Sequence, residues 1–309
     1  MKKIAEDTHS DPPPREPGGR RIPIQRVRGL TYQQFLKAYI ETGTPAIIED
    51  AINLWPALER WTPAFWRSRY GSRRAEVDGK SYRLSELIDL AEQSTAAVPA
   101  PYYRNIRIRD EYPELVADIS PYPKLCGPNW FLSIVFRPFR RWIVGGGGHY
   151  ELFIGGAGRE FPFLHYDAPG AHTFIHQIGG RKRFVLFEAA DSKYLYPCEG
   201  KSFSVSRVKN VDDVETDEFP LYRYATRYEG EAGPGETLFM PSGTWHTAKM
   251  CSFSVSVAID VANSTNWSSV IDYMRRRMNF ENTLLRWSYM GIMRFAGMLL
   301  FMIQLFPDS

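Results

Sequence analysis

Residues 161–187 read FPFLHYDAPGAHTFIHQIGGRKRFVLF, and residues 234–260 read PGETLFMPSGTWHTAKMCSFSVSVAID. Short runs of aromatic and β-branched residues closed by Gly or Pro read as strands and turns. In a strand, residues two apart face the same side, so His165 and Asp167 can both reach one metal ion. His246 sits just after a turn and before another strand, and can approach the same ion from a second segment. Two imidazoles and a carboxylate on one face of a metal leave three positions open, the arrangement of non-haem iron(II) oxygenases. The H-x-D triplet alone decides nothing. With six histidines and 35 acidic residues it arises ~0.7 times by chance, and His165 as a satisfied, buried strand histidine is the plain alternative. The strand after His246 adds weight. Ser252, Ser254, Ser256 and Ala258 alternate there with Phe253, Val255, Val257 and Ile259. One side is narrow and polar and the other apolar, as a pocket wall requires.

Outward from these segments the same pattern continues. YYRNIRI, HYELFIGG, KRFVLFEA and GETLFMP are further short strands. Many short strands without intervening helices indicate a β-sandwich or jelly roll rather than alternating βα units. Upstream, Thr31 opens a helix with Gln34 completing a capping box, and Phe35, Leu36, Tyr39 and Ile40 form its apolar side. TGTPAIIEDA reads as a turn and a buried strand, and WPALERWTPAFWRSRYG as two short helices carrying Trp55, Trp61 and Trp66 inward. YRLSELIDLAEQ is another helix, broken by Pro and Ala at 99–101. After Asn266 the chain is helical, over roughly 268–282 and 284–306, with Pro307 as the stop. The expected organisation is a disordered tail at 1–20, a support region of helices and strand at 21–100, a mainly β domain at 101–266 and C-terminal helices at 267–309.

Composition excludes more than it selects. Hydrophobic residues at 44% and charged residues at 24% are ordinary for a globular chain, and a net charge of +3 gives no strong nucleic-acid signal. The basic clusters at Arg137, Arg140 and Arg141 and at Arg275, Arg276 and Arg277 read as solvated faces. Three scattered cysteines form neither a disulfide framework nor a CxxC zinc pattern, which points to a reducing cytoplasm. The first twenty residues lack the apolar core of a secretory signal. The stretch Tyr289 to Phe306 contains Arg294 and Gln304, so no transmembrane span is expected. MGIMRFAGMLLFMIQLF is nonetheless too apolar for a free monomer helix, and a homodimer through the C-terminal helices is expected.

H-Y-D at 165–167, Lys182 seventeen residues beyond His165, and G-E-T-L-F-M-P-S-G-T-W-H at 235–246 together resemble the JmjC-type hydroxylases, or cupin-like family. TGTPAIIEDAINLWPALERWT is similar to that family's lead-in, and PYYRNIRI to the strand lining its cofactor pocket, so the resemblance covers roughly residues 22–265. It implies a double-stranded β-helix using Fe(II), 2-oxoglutarate as co-substrate, and O2. By the same resemblance His165, Asp167 and His246 are the iron ligands, and Lys182 pairs with the distal carboxylate of 2-oxoglutarate. An inward ammonium needs an anion to meet it; the plain alternative is a surface lysine in the GRKR turn. Thr173 matches a position where many relatives carry Asn beside the co-substrate. Tyr103 and Asn105 match the upstream strand, although Tyr102 and Tyr103 fit equally as alternating core and surface aromatics. Two positions depart from the pattern. Ala258 stands where relatives often carry a hydroxyl or amide, leaving Ser254 or Ser256 to substitute, and Pro162 stands where some have Thr. His172 and His176 are read as structural or substrate-edge residues, and His149, after GGGG, as a loop residue. The expected activity is hydroxylation of a C–H bond on a protein or peptide side chain. Two other readings stand beside it: an oxygenase for a small molecule or tRNA nucleoside, and a cupin that binds metal without 2-oxoglutarate.

Overall fold

The capping box forms as written. Thr31 Oγ1 accepts from the Gln34 amide, and the Gln34 side chain accepts from the Thr31 amide. The computed structural model describes residues 20–133, 150–278 and 283–305. The expected tail, the cluster at Arg137, Arg140 and Arg141, His149 with its preceding glycines, and Pro307 lie outside them.

Helix α1 (Tyr32–Phe35) runs on into a π-helical stretch over Leu36–Ile40. Short helices α2 (Ala57–Arg60) and α3 (Pro63–Tyr70) follow, then α4 (Leu84–Gln93) and α5 (Ile108–Glu111). Thr62 caps α3 by accepting from the Phe65 amide, with Pro63 at the first helical position where no donor is needed. At the far end stand α6 (Trp267–Met278) and α7 (Thr283–Leu305).

The strands are β1 (Arg21–Pro23), β2 (Gln25–Val27), β3 (Ala46–Ile48), β4 (Arg74–Val77), β5 (Lys80–Arg83), β6 (Tyr103–Arg107) and β7 (Tyr150–Gly155). They continue as β8 (His172–Gly179), β9 (Lys182–Phe187), β10 (Arg227–Ala232), β11 (Thr237–Met240), β12 (Trp245–Met250) and β13 (Ser254–Val261). A seven-stranded sheet takes the order β2-β3-β11-β8-β13-β7-β6, and a four-stranded sheet the order β1-β10-β9-β12. β4 and β5 pair separately. Residues 21–48 are thus woven into the barrel, since β1 joins the small sheet and β2 and β3 join the large one. The two sheets meet through Ile47, Leu238 and Met240 of the large one and Phe184, Leu186 and Ala248 of the small one.

Alternation on the large sheet decides where the core and the cavity lie. Val255, Val257 and Ile259 of β13, with Leu152, Ile154 and Phe174, pack outward against Phe35, Trp55, Trp61 and Trp66. The intervening Ser256, Ala258 and Asp260 face the other sheet. This is the two-sided wall expected of the jelly roll.

Two local expectations need correction. FPFLHYD is no regular strand: His165 makes only isolated bridges, to Val205 and His246. His246 lies within β12 rather than before a strand. β1 and β2, at three residues each, are too short to show a period, and β10 (RYEGEA) is polar and holds a glycine, so its pairing with β9 comes from tertiary context.

The turn between β8 and β9 tests the register that delivers Lys182. Gly180 has φ +69°, and a Cβ there would lie 1.7 Å from the Phe253 carbonyl oxygen, whereas Gly29, at φ +67°, has open space around it. Gly29→Ala should cost ~1–2 kcal/mol, the left-handed penalty alone. Gly180→Ala should cost clearly more, read as a larger fall in the urea midpoint.

Candidate metal centre

A hydrogen-bonded pair of backbones brings the two histidines together. The His165 amide donates to the His246 carbonyl at 3.1 Å, and the His246 amide returns a bond to His165 at 2.6 Å. Directly paired residues of antiparallel segments carry their side chains on one face, and the two imidazole centroids are 4.3 Å apart. Asp167 completes the group. Its Oδ1 lies 3.6 Å from His165 Nε2 and 3.8 Å from His246 Nε2. Both distances are within the ~4.2 Å that two ~2.1 Å bonds to one ion can span, and all three ligand atoms fall within 4.8 Å of one another.

The backbone also selects the tautomer. His165 Nδ1 lies 3.2 Å from the Phe163 carbonyl, and His246 Nδ1 lies 3.2 Å from the Thr244 carbonyl. A carbonyl only accepts, so each neutral ring carries its proton on Nδ1 and turns a bare Nε2 toward the shared point, as a metal requires. Burial pushes His246 down to about 4, against the pull of Asp167. Burial would raise Asp167, but His246 and His165 beside it hold its carboxyl well below the usual range. Phe161 stacks on His165 at 4.3 Å and Phe163 meets it edge-on, so the ring is shielded on its apolar side.

The group opens into a cavity of about 380 Å³ between the sheets, lined also by Tyr102, Asn105, Glu151, Phe153, Thr173, Lys182, Ala258 and Asp260. Lys182 crosses it. From β9 its ammonium donates to Ser256 Oγ on β13 at 2.6 Å and sits over the Phe153 ring. The side chain is 2% exposed, and no ion pair to it occurs among the described residues. Burial lowers its pKa to about 7. A cavity holding three converging ligand atoms and an ammonium with no ion pair among the described residues fits a metal ion accompanied by an anion.

The remaining expected residues divide. Thr173 lines the cavity and donates to Asp260 Oδ1 at 3.0 Å. Asn105 lines it too, in a left-handed conformation (φ +58°), with its amide donating to Glu151. Ser256 meets Lys182. Tyr103 is turned away: its hydroxyl pairs with that of Tyr112 inside the helical core, and Tyr102 lines the cavity instead. The reason is a register irregularity between Tyr103 and Ile106 in the pairing of β6 with β7, which sequence alternation cannot reveal. His172 and His176 face the core. His172 bonds the Ser242 amide and Thr265, and His176 bonds Thr237 and packs on Trp55. Burial pushes them to about 4 and about 3, so both stay neutral.

Sequence reading missed Glu151 and Asp260. The signal was present, since Glu151 has the parity of Phe153 in YELFIG and Asp260 that of Ser256 and Ala258 in SVSVAID. A larger hollow of about 830 Å³ lies between α6 and α7, walled by Trp267, Arg275, Trp287 and Met290. Among the described residues the one metal-competent cluster is His165, Asp167 and His246, so the chemistry belongs to the smaller cavity.

A jelly roll with such a cluster in its mouth is the architecture of a metal-binding cupin. Residues 74–272 match the cupin-like domain, and the chain belongs to that family. It is similar to tRNA wybutosine-synthesizing protein 5 of Mus musculus, 26% identical over 270 residues and 78% of each chain. It is also similar to lysine-specific demethylase JMJ30 of Arabidopsis thaliana, 26% identical over 80% of this chain and 56% of that one. Jumonji C domain-containing protein 5 of Drosophila melanogaster is 26% identical over 75% of this chain and 59% of its own.

Titration with Mn(II) should reach one equivalent per chain and raise the melting temperature. Asp167→Ala should weaken that binding by ~100-fold or more, because loss even of a supporting partner costs 10–100-fold. Calorimetry checks both.

Proposed function

We propose that this protein is an Fe(II)- and 2-oxoglutarate-dependent oxygenase that hydroxylates a C–H bond on a protein or peptide side chain. The reading rests on Lys182: a buried ammonium, without a counter-ion among the described residues, shares one cavity with a two-imidazole, one-carboxylate cluster. A cupin using metal alone gives that ammonium only the neutral Ser256 hydroxyl to meet, and an unpaired buried charge is costly. Relatives named as demethylases and as a JmjC-domain protein support the same chemistry.

His165, Asp167 and His246 would hold the iron by three positions. Lys182 and Ser256 would hold the far carboxylate of 2-oxoglutarate, with Thr173 and Asn105 on the walls beside it. Iron, 2-oxoglutarate and O2 together supply the oxidising power for C–H hydroxylation. Phe153, Phe161, Phe163 and Tyr102 keep water from the reacting centre. A second reading, action on a tRNA nucleoside, is favoured by the relative named for wybutosine synthesis, which aligns over 78% of both chains. Incubating peptide and tRNA pools separately and searching each for a gain of one oxygen separates the two.

Three free cysteines, one buried, fit the reducing cytoplasm expected from sequence, and no described helix is long and apolar enough to cross a membrane. Helix α7 buries Met290, Met293 and Leu300, yet Trp287, Ile292, Phe295, Met298 and Phe301 are exposed. An apolar surface of this extent marks an association site, and a homodimer through α7 is the occupant we assign to it. Sedimentation should find a dimer at tens of micromolar, and Trp287→Glu with Phe295→Glu should give monomers. A persistent wild-type monomer would end that assignment.

Asp167→Ala should abolish conversion of 2-oxoglutarate to succinate, and Lys182→Ala should raise the 2-oxoglutarate requirement at least ~10-fold, the effect of losing one good charged contact. Normal turnover by both variants would sink the reading. The pH dependence has a definite sign. With a free-state pKa of about 7, the ammonium is already present below that pH. Above it, binding must take up a proton, and affinity should fall ~10-fold per pH unit. Lys182→Arg should flatten that slope.

A further inference from the structure

The hollow of about 830 Å³ between α6 and α7 has no part in the chemistry proposed above, and its size falls within the ~300–1,000 Å³ of ligand clefts. The two helices run antiparallel along it. At the start of α6 the Trp267 indole donates to the Met293 carbonyl at 2.9 Å, and a Cβ on Gly297 would lie 2.3 Å from the same nitrogen. The missing side chain at Gly297 thus admits the indole against the backbone of α7. Trp130 meets Trp267 edge-on, with ring centroids 5.4 Å apart, and extends this floor.

Helix α7 presents two different stripes. Arg286, Met290, Arg294, Gly297 and Phe301 recur at helical spacing and line the hollow. Ile292, Phe295, Leu299 and Met302 recur on the side turned away and are exposed. The second stripe serves the pairing of chains proposed above, and the first is left facing an open cleft. That cleft carries three guanidiniums, from Arg275, Arg286 and Arg294, against the single carboxylate of Asp272. Asp272 pairs with Arg275. No ion pair or hydrogen bond from Arg286 or Arg294 occurs among the described residues. Two copies of this stripe would set guanidinium against guanidinium, and like charges across an interface repel. A second chain is therefore a poor occupant.

The charge is also placed along the cleft. Arg275 lies in the last turn of α6 and Arg286 in the first turn of α7, so the antiparallel helices bring both to one end. Arg294 stands ~12 Å further along the axis. Beyond it α7 contributes only Gly297, Met298 and Phe301 to the lining, with Trp130 and Trp267 opposite and the hydroxyls of Ser264 and Ser268 beside them. One end suits an anion and the other a hydrocarbon chain. A guanidinium fork matches a planar carboxylate through two parallel hydrogen bonds. A bilayer surface is flat and cannot enter a cleft walled on both sides.

We propose that the cleft between α6 and α7 binds a long-chain carboxylate, its head met by Arg286 and Arg294 and its tail laid between Trp130, Trp267, Met298 and Phe301. The site is separate from the metal cavity and does not depend on the oxygenase reading.

The test titrates the full chain with decanoate, decanol or decyltrimethylammonium, each below its micelle-forming concentration, and reads binding by calorimetry. Decanoate should bind once per chain and at least ~10-fold tighter than decanol, the worth of one charge-assisted contact. Decyltrimethylammonium should bind more weakly than either. Arg286→Gln with Arg294→Gln should bring decanoate down to the level of decanol while Mn(II) uptake stays at one equivalent. The wild-type comparison needs no variant, so a misfolded substitution does not remove the test. Absence of saturable decanoate binding overturns the proposal, as does equal binding of acid and alcohol or a ratio that survives the double substitution. Binding to phosphatidylglycerol vesicles without binding of free decanoate overturns it in favour of a membrane. Dissociation of a sedimenting dimer by decanoate overturns it as well, because the cleft then belongs to a second copy of the chain.

Discussion

Two hydrogen bonds exchanged between the backbones of His165 and His246 set the geometry on which the cavity depends. They place two imidazoles from distant segments side by side, and the Phe163 and Thr244 carbonyls then claim the Nδ1 proton of each ring. Asp167, two residues beyond His165, needs no independent positioning. Main-chain contacts thus hold the three candidate ligands in one group.

The same economy governs the charges. The small sheet supplies Lys182 and His246, the large sheet supplies Ser256, Thr173, Glu151 and Asp260, and the space between them is a low-dielectric gap. Burial lowers Lys182 and raises the carboxyls of Glu151 and Asp260. Each group is therefore biased toward its neutral form.

The aromatic helical layer makes this possible. Trp55, Trp61, Trp66 and Phe35 cover the outer face of the large sheet, so its inner face can be polar without loss of the core. Sheet and helices together bear the cost of a wet interior. The C-terminal pair α6 and α7 adds a second, separate core around Trp130, Trp267 and Met293, and leaves its own apolar surface outward.

Much of this was legible in the residues. Period-two alternation in SVSVAID, the capping box at Thr31, the three tryptophans and the order HYD, Lys182, His246 are local facts, because side-chain direction in a strand and capping at a helix end depend on neighbours in sequence. The jelly roll and the grouping of His165, Asp167 and His246 follow from them. Tyr103 was misjudged because an irregularity in β6 shifts which residue faces inward, and β10 escaped because its partner, not its composition, makes it a strand. Glu151 and Asp260 had the right parity, but parity names a side and not a neighbour. That the two carboxyl groups share one cavity with a lysine from another sheet was decided only when β7, β13 and β9 came together, since spatial neighbourhood depends on distances that the linear order of a chain does not contain.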